Sequence, residues 1–418
     1  MIAISDEMVR VGENAKNSSK ILRRLTSDKK NEILYCIRDA LLESRNEIIE
    51  ENKSDMEFGL SKNLTESMLD RLYIDDTRLD QIINSLGDIA ALPDPIGTMI
   101  EEFRRPNGLK IKKIATPIGV IGVIFESRPN VFVDAGALCL KSGNASVLRC
   151  GSESYNTARV LEKCFKFGCE QAGISKSLVQ LVPTRNRSAV EEMLNMNEFF
   201  DVIVPRGGKG LVKLVQEKAT VPIFAHLEGI VHIYVHSDAD PVKAKKVILN
   251  SKIRKPGICG AVECLLIDEK FIESYGTKMI SDLISSGVEV RVSHDLLHID
   301  GTVLANERDW GKEFLSMTVA VKTVGSLSEA VSHIESYGSN HTDCIITEND
   351  KVAERFFLDL DSAILMRNAS TQFADGGEFG FGAEIGIATG KIHARGPVGL
   401  GQLTTFKYIV DGNGQTRG

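Results

Sequence analysis

Residues 117–150, PIGVIGVIFESRPNVFVDAGALCLKSGNASVLRC, decide the fold. Pro117 to Phe125 reads as an apolar strand. It is followed by the polar loop Glu126-Ser127-Arg128-Pro129-Asn130, a helix over Asp134 to Ser142, and a second apolar strand over Ala145 to Cys150. Strands apolar on both faces must be covered on both faces, and helices alternating with them do this around a parallel, doubly wound sheet. In such sheets ligands bind at the carboxyl ends of the strands, where the loop from Glu126 to Asn130 stands.

Toward the C terminus the alternation continues through a helix over Ser152 to Ala172 and strands over Val179 to Pro183, Val202 to Pro205, Val221 to Ala225 and His232 to Val235. Gly207-Gly208 opens one more helix, and Asp240-Pro241 offers the cap and first residue of another. A second alternating block runs from Ala261 to about Arg367, with strands over Val262 to Ile267, Val288 to Val292, Thr318 to Val324 and Cys344 to Thr347, and reads as a further α/β unit. Toward the N terminus, Thr26 to Leu92 reads as amphipathic helices, with Ile33, Leu34, Ile37, Leu41 and Leu42 at helical spacing. Between these regions Glu101 to Ala115 alternates about Asn107-Gly108, a hairpin signal. The strand-like Thr404 to Val410, after a glycine-rich tail, suits a segment returning to that hairpin as an arm.

A chain of 418 residues has room for two or three domains with large cores. Its net charge of −7 comes from interspersed charges with no basic block, so neither nucleic acid nor an anionic membrane is an expected partner. The eight cysteines show no regular spacing and no CxxC pair, which argues against a disulfide framework or a zinc motif and fits a reducing compartment. There is no leader pattern and no run near the roughly 18 apolar residues of a membrane span. The expected location is the cytoplasm.

Within this frame Lys255-Pro256-Gly257-Ile258-Cys259-Gly260-Ala261 seats a cysteine in a tight turn between a helical run and an apolar strand. It stands where the two α/β units are expected to meet, a favoured place for a cleft. Lys246, Lys252, Arg254 and Lys255 crowd the preceding segment, and cations draw a thiol toward the nucleophilic thiolate. The alternative is an inert thiol, since unpaired cysteine is among the most buried residue types. Arg206-Gly207-Gly208-Lys209-Gly210 offers bare N–H groups at a helix start, which suits a phosphate. It matches neither GxxxxGK nor GxGxxG, and a plain turn reads equally well. Arg128 is placed to receive a phosphate or carboxylate, or to sit in a loop ion pair. His226 is either a proton carrier for the thiol or an interior histidine. His333 to Asp343 gathers donors, but their spacing matches no zinc pattern and no metal site is expected.

Five segments in order, Phe125 to Val131, Pro205 to Gly210, Lys255 to Cys259, Tyr337 to Asp343 and Ile392 to Leu400, resemble the aldehyde dehydrogenase superfamily. The resemblance covers nearly the whole chain and extends to the branch that acts on an acyl phosphate. It implies a Rossmann-like cofactor domain (1–100 and 116–226), an α/β catalytic domain (227–385), a small β-arm for oligomerisation (101–115 and 400–418) and a returning segment (386–399). The implied activity is NADPH-dependent reduction of γ-glutamyl phosphate to glutamate 5-semialdehyde, the second step of proline biosynthesis, through a thioester on Cys259. Asn130 and the Cys259 N–H are the implied oxyanion donors. Ser127, Arg128, Lys255 and His341 are candidates for the phosphate or the substrate carboxylate. Phe125, Arg149, Ser152, Arg206, Gly207, Gly208, Leu227 and Glu313 are the implied cofactor residues, Glu313 matching the glutamate that holds the nicotinamide ribose.

Two departures from the superfamily pattern are informative. His226 stands where hydrolytic members place a water-activating glutamate, and its loss disfavours thioester hydrolysis. Ser152 stands where NAD-preferring members place a ribose-binding glutamate, and Arg149 replaces a lysine. A 2′-phosphate is repelled by a carboxylate and attracted by a guanidinium, so NADP(H) is implied. Two rivals remain at this stage: an acylating aldehyde dehydrogenase that uses a CoA thioester, and a redox-free cysteine hydrolase or acyltransferase. A homo-oligomer is implied too, and a hand-over contact with glutamate 5-kinase is left open.

Overall fold

The computed structural model describes residues 4–417. It divides the chain into two units: residues 4–225 with 380–386 and 397–417, and residues 226–379 with 387–396.

The first unit opens with five helices, α1 (Asp6–Leu22), α2 (Ser27–Glu43), α3 (Arg45–Ser61), α4 (Glu66–Leu72) and α5 (Asp76–Ala91). Each start but that of α3 is fixed by a side chain that accepts a backbone N–H, from Ser5, Thr26, Thr65 and Asp75. The helical region therefore begins about a helix earlier than its apolar spacing suggests. In α2 the residues Ile33, Leu34, Ile37 and Leu41 are fully buried, whereas Leu42 is exposed. The buried stripe packs on α5 and on α7 (Tyr155–Gln171).

Strands β1 (Met99–Arg104) and β2 (Lys110–Pro117) form the expected antiparallel hairpin, with Gly108 at φ +90°, a conformation that favours glycine. The C-terminal strand Thr404–Asp411 pairs with β2 from Thr404 against Pro117 to Asp411 against Lys110, so the arm has three strands. The run from Pro117 is then two strands, because β2 ends there and β3 covers Val120–Phe125. With α6 (Asn130–Lys141), β4 (Ala145–Arg149), β5 (Val179–Leu181), α8 (Ser188–Leu194), β6 (Val202–Arg206) and α9 (Lys209–Lys218), it builds a parallel sheet of order β5-β4-β3-β6. All of β3 is buried, as its unbroken apolar run requires. Val221 to Ala225 does not form the expected strand. Pro222 has no N–H for a ladder, and only an isolated bridge joins Ile223 to Ile203.

The second unit holds β7 (Val231–Val235), α10 (Pro241–Ile253), β8 (Val262–Asp268), the one-turn α11 (Glu269–Phe271), α12 (Thr277–Ser285), β9 (Glu289–Val292), β10 (Val303–Leu304), β11 (Thr318–Val324), α13 (Leu327–Tyr337), β12 (Thr342–Ile346), α14 (Asp350–Asp359) and β13 (Ile364–Arg367). Its main sheet has seven parallel strands in the order β10-β9-β11-β8-β7-β12-β13. Alternate residues face opposite cores. Ile233, Leu265 and Ile267 pack with Ala244 and Ile248 of α10 and Ile280 of α12, while Tyr234, Cys264 and Leu266 pack with Ile334 of α13 and Phe356 of α14.

Candidate active site

Cys259 lies in the loop between α10 and β8, half-buried in the second unit. A tight turn, closed by the Ala261 N–H on the Ile258 carbonyl, carries it. Gln372 ties the loop down by donating its amide to the carbonyls of Ser251 (2.9 Å) and Lys255 (3.2 Å). A Cβ on Gly229 would come within 2.3 Å of the Cys259 carbonyl oxygen and 2.7 Å of its Cβ. Residue 229 must therefore lack a side chain for the cysteine to sit where it does.

Two histidines from separate segments meet the thiol. The nearest ligand atoms of His226, Cys259 and His341 all lie within 4.8 Å of one another, and the two rings pack edge to face with centroids 5.0 Å apart. His226 Nδ1 is 2.6 Å from the Ile387 carbonyl, which only accepts, so Nδ1 carries a proton and donates it to that carbonyl. His341 is fully buried, with Nδ1 2.9 Å from the Thr342 hydroxyl. Burial alone would push the Cys259 thiol up, yet the charge of His341 and hydrogen bonding to His226 and His341 carry it well below its ordinary value. The thiolate is the resting form this arrangement favours.

The cations on which the sequence argument leaned are not its cause. Lys252 is fully buried and bonds Glu263 at 2.7 Å, and burial lowers its pKa. The Lys255 side chain is exposed, and only its carbonyl is engaged, by Gln372. Position along the chain could not show which way those side chains turn.

The segment from His226 to Ile230 is held at three points. His226 bonds the Ile387 carbonyl, the Gly229 N–H donates to Glu313 Oε1 (2.9 Å), and the Ile230 N–H donates to Ser339 Oγ (2.9 Å). Glu313 thus belongs to the same cluster as Cys259. Burial raises its carboxyl pKa, the Gly229 N–H opposes this, and the nearby Cys259 adds to the rise. Leu227 lies half-buried in this segment. Of the donors in His333 to Asp343, His341 joins Cys259. His333 instead meets Cys264 and His232 in a second, fully buried triplet, where His232 Nδ1 is 3.3 Å from Asp343. Ser339 lies in the Tyr337 to Asp343 motif but received no role from sequence reading, and Gln372, which also positions a loop, lies in none of the motifs.

The remaining candidates belong to the first unit. Phe125 is buried at the end of β3. Ser127, at φ 45°, directs both its N–H (2.8 Å) and its hydroxyl (2.9 Å) to Glu153. Arg128 and Asn130 line a cavity with α4 and α5. Glu126 accepts the Gly208 N–H at 3.0 Å and its own N–H donates to the Arg206 carbonyl. A Cβ at Gly207 would come within 2.5 Å of that Glu126 carboxylate. Arg149, buried at the end of β4, donates weakly to the Arg185 carbonyl (3.4 Å), and its Nε has no partner. Ser152 follows in a single 3-10 turn.

Two parallel α/β units, one with a β-arm and the other with a cysteine on the loop before its central strand, are the aldehyde dehydrogenase architecture. The aldehyde dehydrogenase family model matches residues 3–295, and the chain belongs to that family. Within it the chain groups with the γ-glutamyl phosphate reductases. The protein of that name from Beijerinckia indica is 50% identical over 409 residues, covering 97% of this chain and 95% of its own length. The crystal structure of γ-glutamyl phosphate reductase from Thermotoga maritima superposes with a TM-score of 0.96 at 40% identity, over 99% of this chain and 100% of that one. An acetylating aldehyde dehydrogenase from Geobacillus thermoglucosidasius shares the fold at 20% identity and a TM-score of 0.68, over 99% of this chain and 98% of its own. No described helix is long and apolar enough to cross a membrane.

Proposed function

We propose that this protein reduces γ-glutamyl phosphate to glutamate 5-semialdehyde and phosphate with NADPH, through a thioester on Cys259. The observation that carries the reading is the thiol held between His226 and His341 with its pKa drawn down. Its relatives named γ-glutamyl phosphate reductase supply the substrate.

The Cys259 thiolate attacks the acyl carbon of the mixed anhydride, and the bond to the phosphate oxygen breaks, so phosphate leaves and a thioester remains. The Cys259 N–H and the Asn130 amide are the proposed donors to the oxyanion of this step. Bound NADPH supplies a hydride to the thioester carbon. Cys259 then departs as thiolate while the carbonyl re-forms, giving the aldehyde. The same two histidines serve both halves, because neighbours that favour the thiolate as nucleophile also favour it as leaving group. An imidazole, in place of a carboxylate, at position 226 leaves water poorly activated and the thioester open to phosphate in the reverse direction.

The first unit fits a nicotinamide dinucleotide in two respects. Arg149 keeps an unpartnered Nε in a buried guanidinium, and Ser152 puts no carboxylate against a 2′-phosphate, which favours NADP(H). The Gly208 N–H already holds an anion in Glu126, with which a cofactor phosphate would compete, so Arg149 and Ser152 are the firmer contacts. Glu313 is the proposed ribose contact.

The arm supports a homo-oligomer. Every residue of β1 is exposed, and Phe406, Tyr408 and Val410 are exposed on the C-terminal strand.

The deciding assay follows NADP+ reduction with glutamate 5-semialdehyde, comparing phosphate with CoA as acceptor. Phosphate-dependent turnover is expected. CoA-dependent turnover alone would place the protein with the CoA-acylating enzymes, and absence of NADPH binding by calorimetry would leave only a redox-free cysteine enzyme. Cys259→Ala should abolish turnover and retain NADPH binding.

A further inference from the structure

Asp343 of β12, His232 of β7 and Cys264 of β8 are aligned partners on adjacent parallel strands of the second unit, so their side chains stand in one row on one face of its sheet. The next row on that face, Ile345, Tyr234 and Leu266, belongs to the hydrophobic core. His333 of α13 comes down on the polar row, its ring packed against Trp310 (centroids 5.9 Å apart) and Tyr337 (4.6 Å). All four polar side chains are buried, and none takes part in the reaction above.

Polar groups taken out of water are costly unless bonded, and this row is under-bonded. Neither ring nitrogen of His232, nor Nδ1 of His333, makes a hydrogen bond among the described residues. Yet one donor atom from each of His232, Cys264 and His333 lies within 4.8 Å of the other two, with Cys264 Sγ 3.7 Å from His333 Nε2. Tetrahedral zinc, with bonds of about 2.3 Å to sulfur and about 2.0 Å to nitrogen, holds those two ligands roughly 3.5 Å apart. One thiolate and two imidazoles suit such a borderline-soft ion and not Mg2+ or Ca2+, which take oxygen ligands. Asp343 stands behind the three. Its Oδ2 accepts the Ser362 hydroxyl, while Oδ1 accepts the His232 backbone N–H (3.1 Å) and lies 3.3 Å from His232 Nδ1. A carboxylate in that position orients a metal-bound imidazole.

We infer that His232, Cys264 and His333 bind a zinc ion that ties β7 and β8 to α13, with water in the fourth place of the tetrahedron. Binding releases the Cys264 thiol proton to solvent, and the buried ion enters as the chain folds. Zinc motifs place pairs of ligands a few residues apart, whereas here each ligand comes from a different element, so sequence spacing predicts no metal. The inference does not rest on the reductase reading.

The test uses full-length Cys259→Ala, in which zinc cannot bind the catalytic thiol, purified from zinc-supplemented cells and passed over a weak chelator. Emission spectrometry should find close to one zinc per chain. X-ray absorption should find one sulfur at about 2.3 Å and three lighter ligands at about 2.0–2.1 Å. Adding Cys264→Ala or His333→Gln should remove most of the zinc while circular dichroism keeps the signature of a folded chain. A chain without zinc, a zinc shell of nitrogen and oxygen alone, or full occupancy retained in both added variants would each overturn the inference. Should either added variant fail to fold, the absorption shell, which needs neither substitution, decides.

Discussion

The thiol of Cys259 is partly withdrawn from water, where a charge is costly and a neighbouring cation correspondingly effective. Its pKa falls because His341 and His226 favour the thiolate, so removing either side chain should raise it. Alkylation by iodoacetamide, followed against pH, should titrate well below an ordinary thiol in the wild type. His341→Ala should move that midpoint upward, with the rates converging at pH above both midpoints where every form is thiolate. A midpoint unmoved in both His341→Ala and His226→Ala would contradict the electrostatic account. Glycine at 229 makes a steric claim at the same scale. Gly229→Ala forces a methyl group into the Cys259 backbone and should cost about 1–3 kcal/mol of stability along with most of the turnover. Gly257→Ala, whose Cβ would find nothing nearer than the Leu315 carbonyl at 3.9 Å, is the matched control and should be close to silent in denaturation and assay.

At the scale of elements, the loop that carries Cys259 depends on a charge pair joining the end of α10 to the start of β8. Lys252 and Glu263 are both buried and bond at 2.7 Å, and Glu263 also takes the Leu315 N–H at 3.1 Å, two residues beyond Glu313. Breaking a buried pair strands a charge, which costs about 3–5 kcal/mol, whereas replacing both partners by apolar groups is often neutral. Urea denaturation should therefore show Lys252→Met far less stable than wild type, and Lys252→Met/Glu263→Leu closer to it; additive losses would refute the pairing. Sequence reading counted Lys252 among the cations acting on the thiol. A residue in the last turn of a helix can face any direction, and its partner came from the next strand. The same limit explains Val221 to Ala225: its apolar composition suits a strand, but Pro222 interrupts the ladder. Where periodicity and turn chemistry agreed, as at Asn107-Gly108 or Asp240-Pro241, the elements were legible.

At the scale of the whole molecule, the alternation of buried strands and helices made both parallel sheets and the arm readable, because burial on two faces leaves a direct mark on composition. The convergence of His226, Cys259 and His341 left no such mark, since it joins residues whose separation along the chain is set by topology alone. The arm shows how far composition reaches. Tyr408 and Val410 are 56% and 54% exposed, and with Phe406 they share one face of the C-terminal strand, two residues apart. That strand and β1 are the open edges of a three-stranded sheet, and exposed apolar edges invite pairing with another chain. A second copy of this chain is the occupant that the family resemblance implies. Sedimentation velocity should find an oligomer at micromolar concentration. Tyr408→Asp with Val410→Asp, which puts two charges on that face without touching either core, should shift it toward monomer while the thermal midpoint of the isolated protomer holds. A wild-type chain that sediments as a monomer, or a double variant that stays assembled, would mean that the exposed face of the arm serves some other contact.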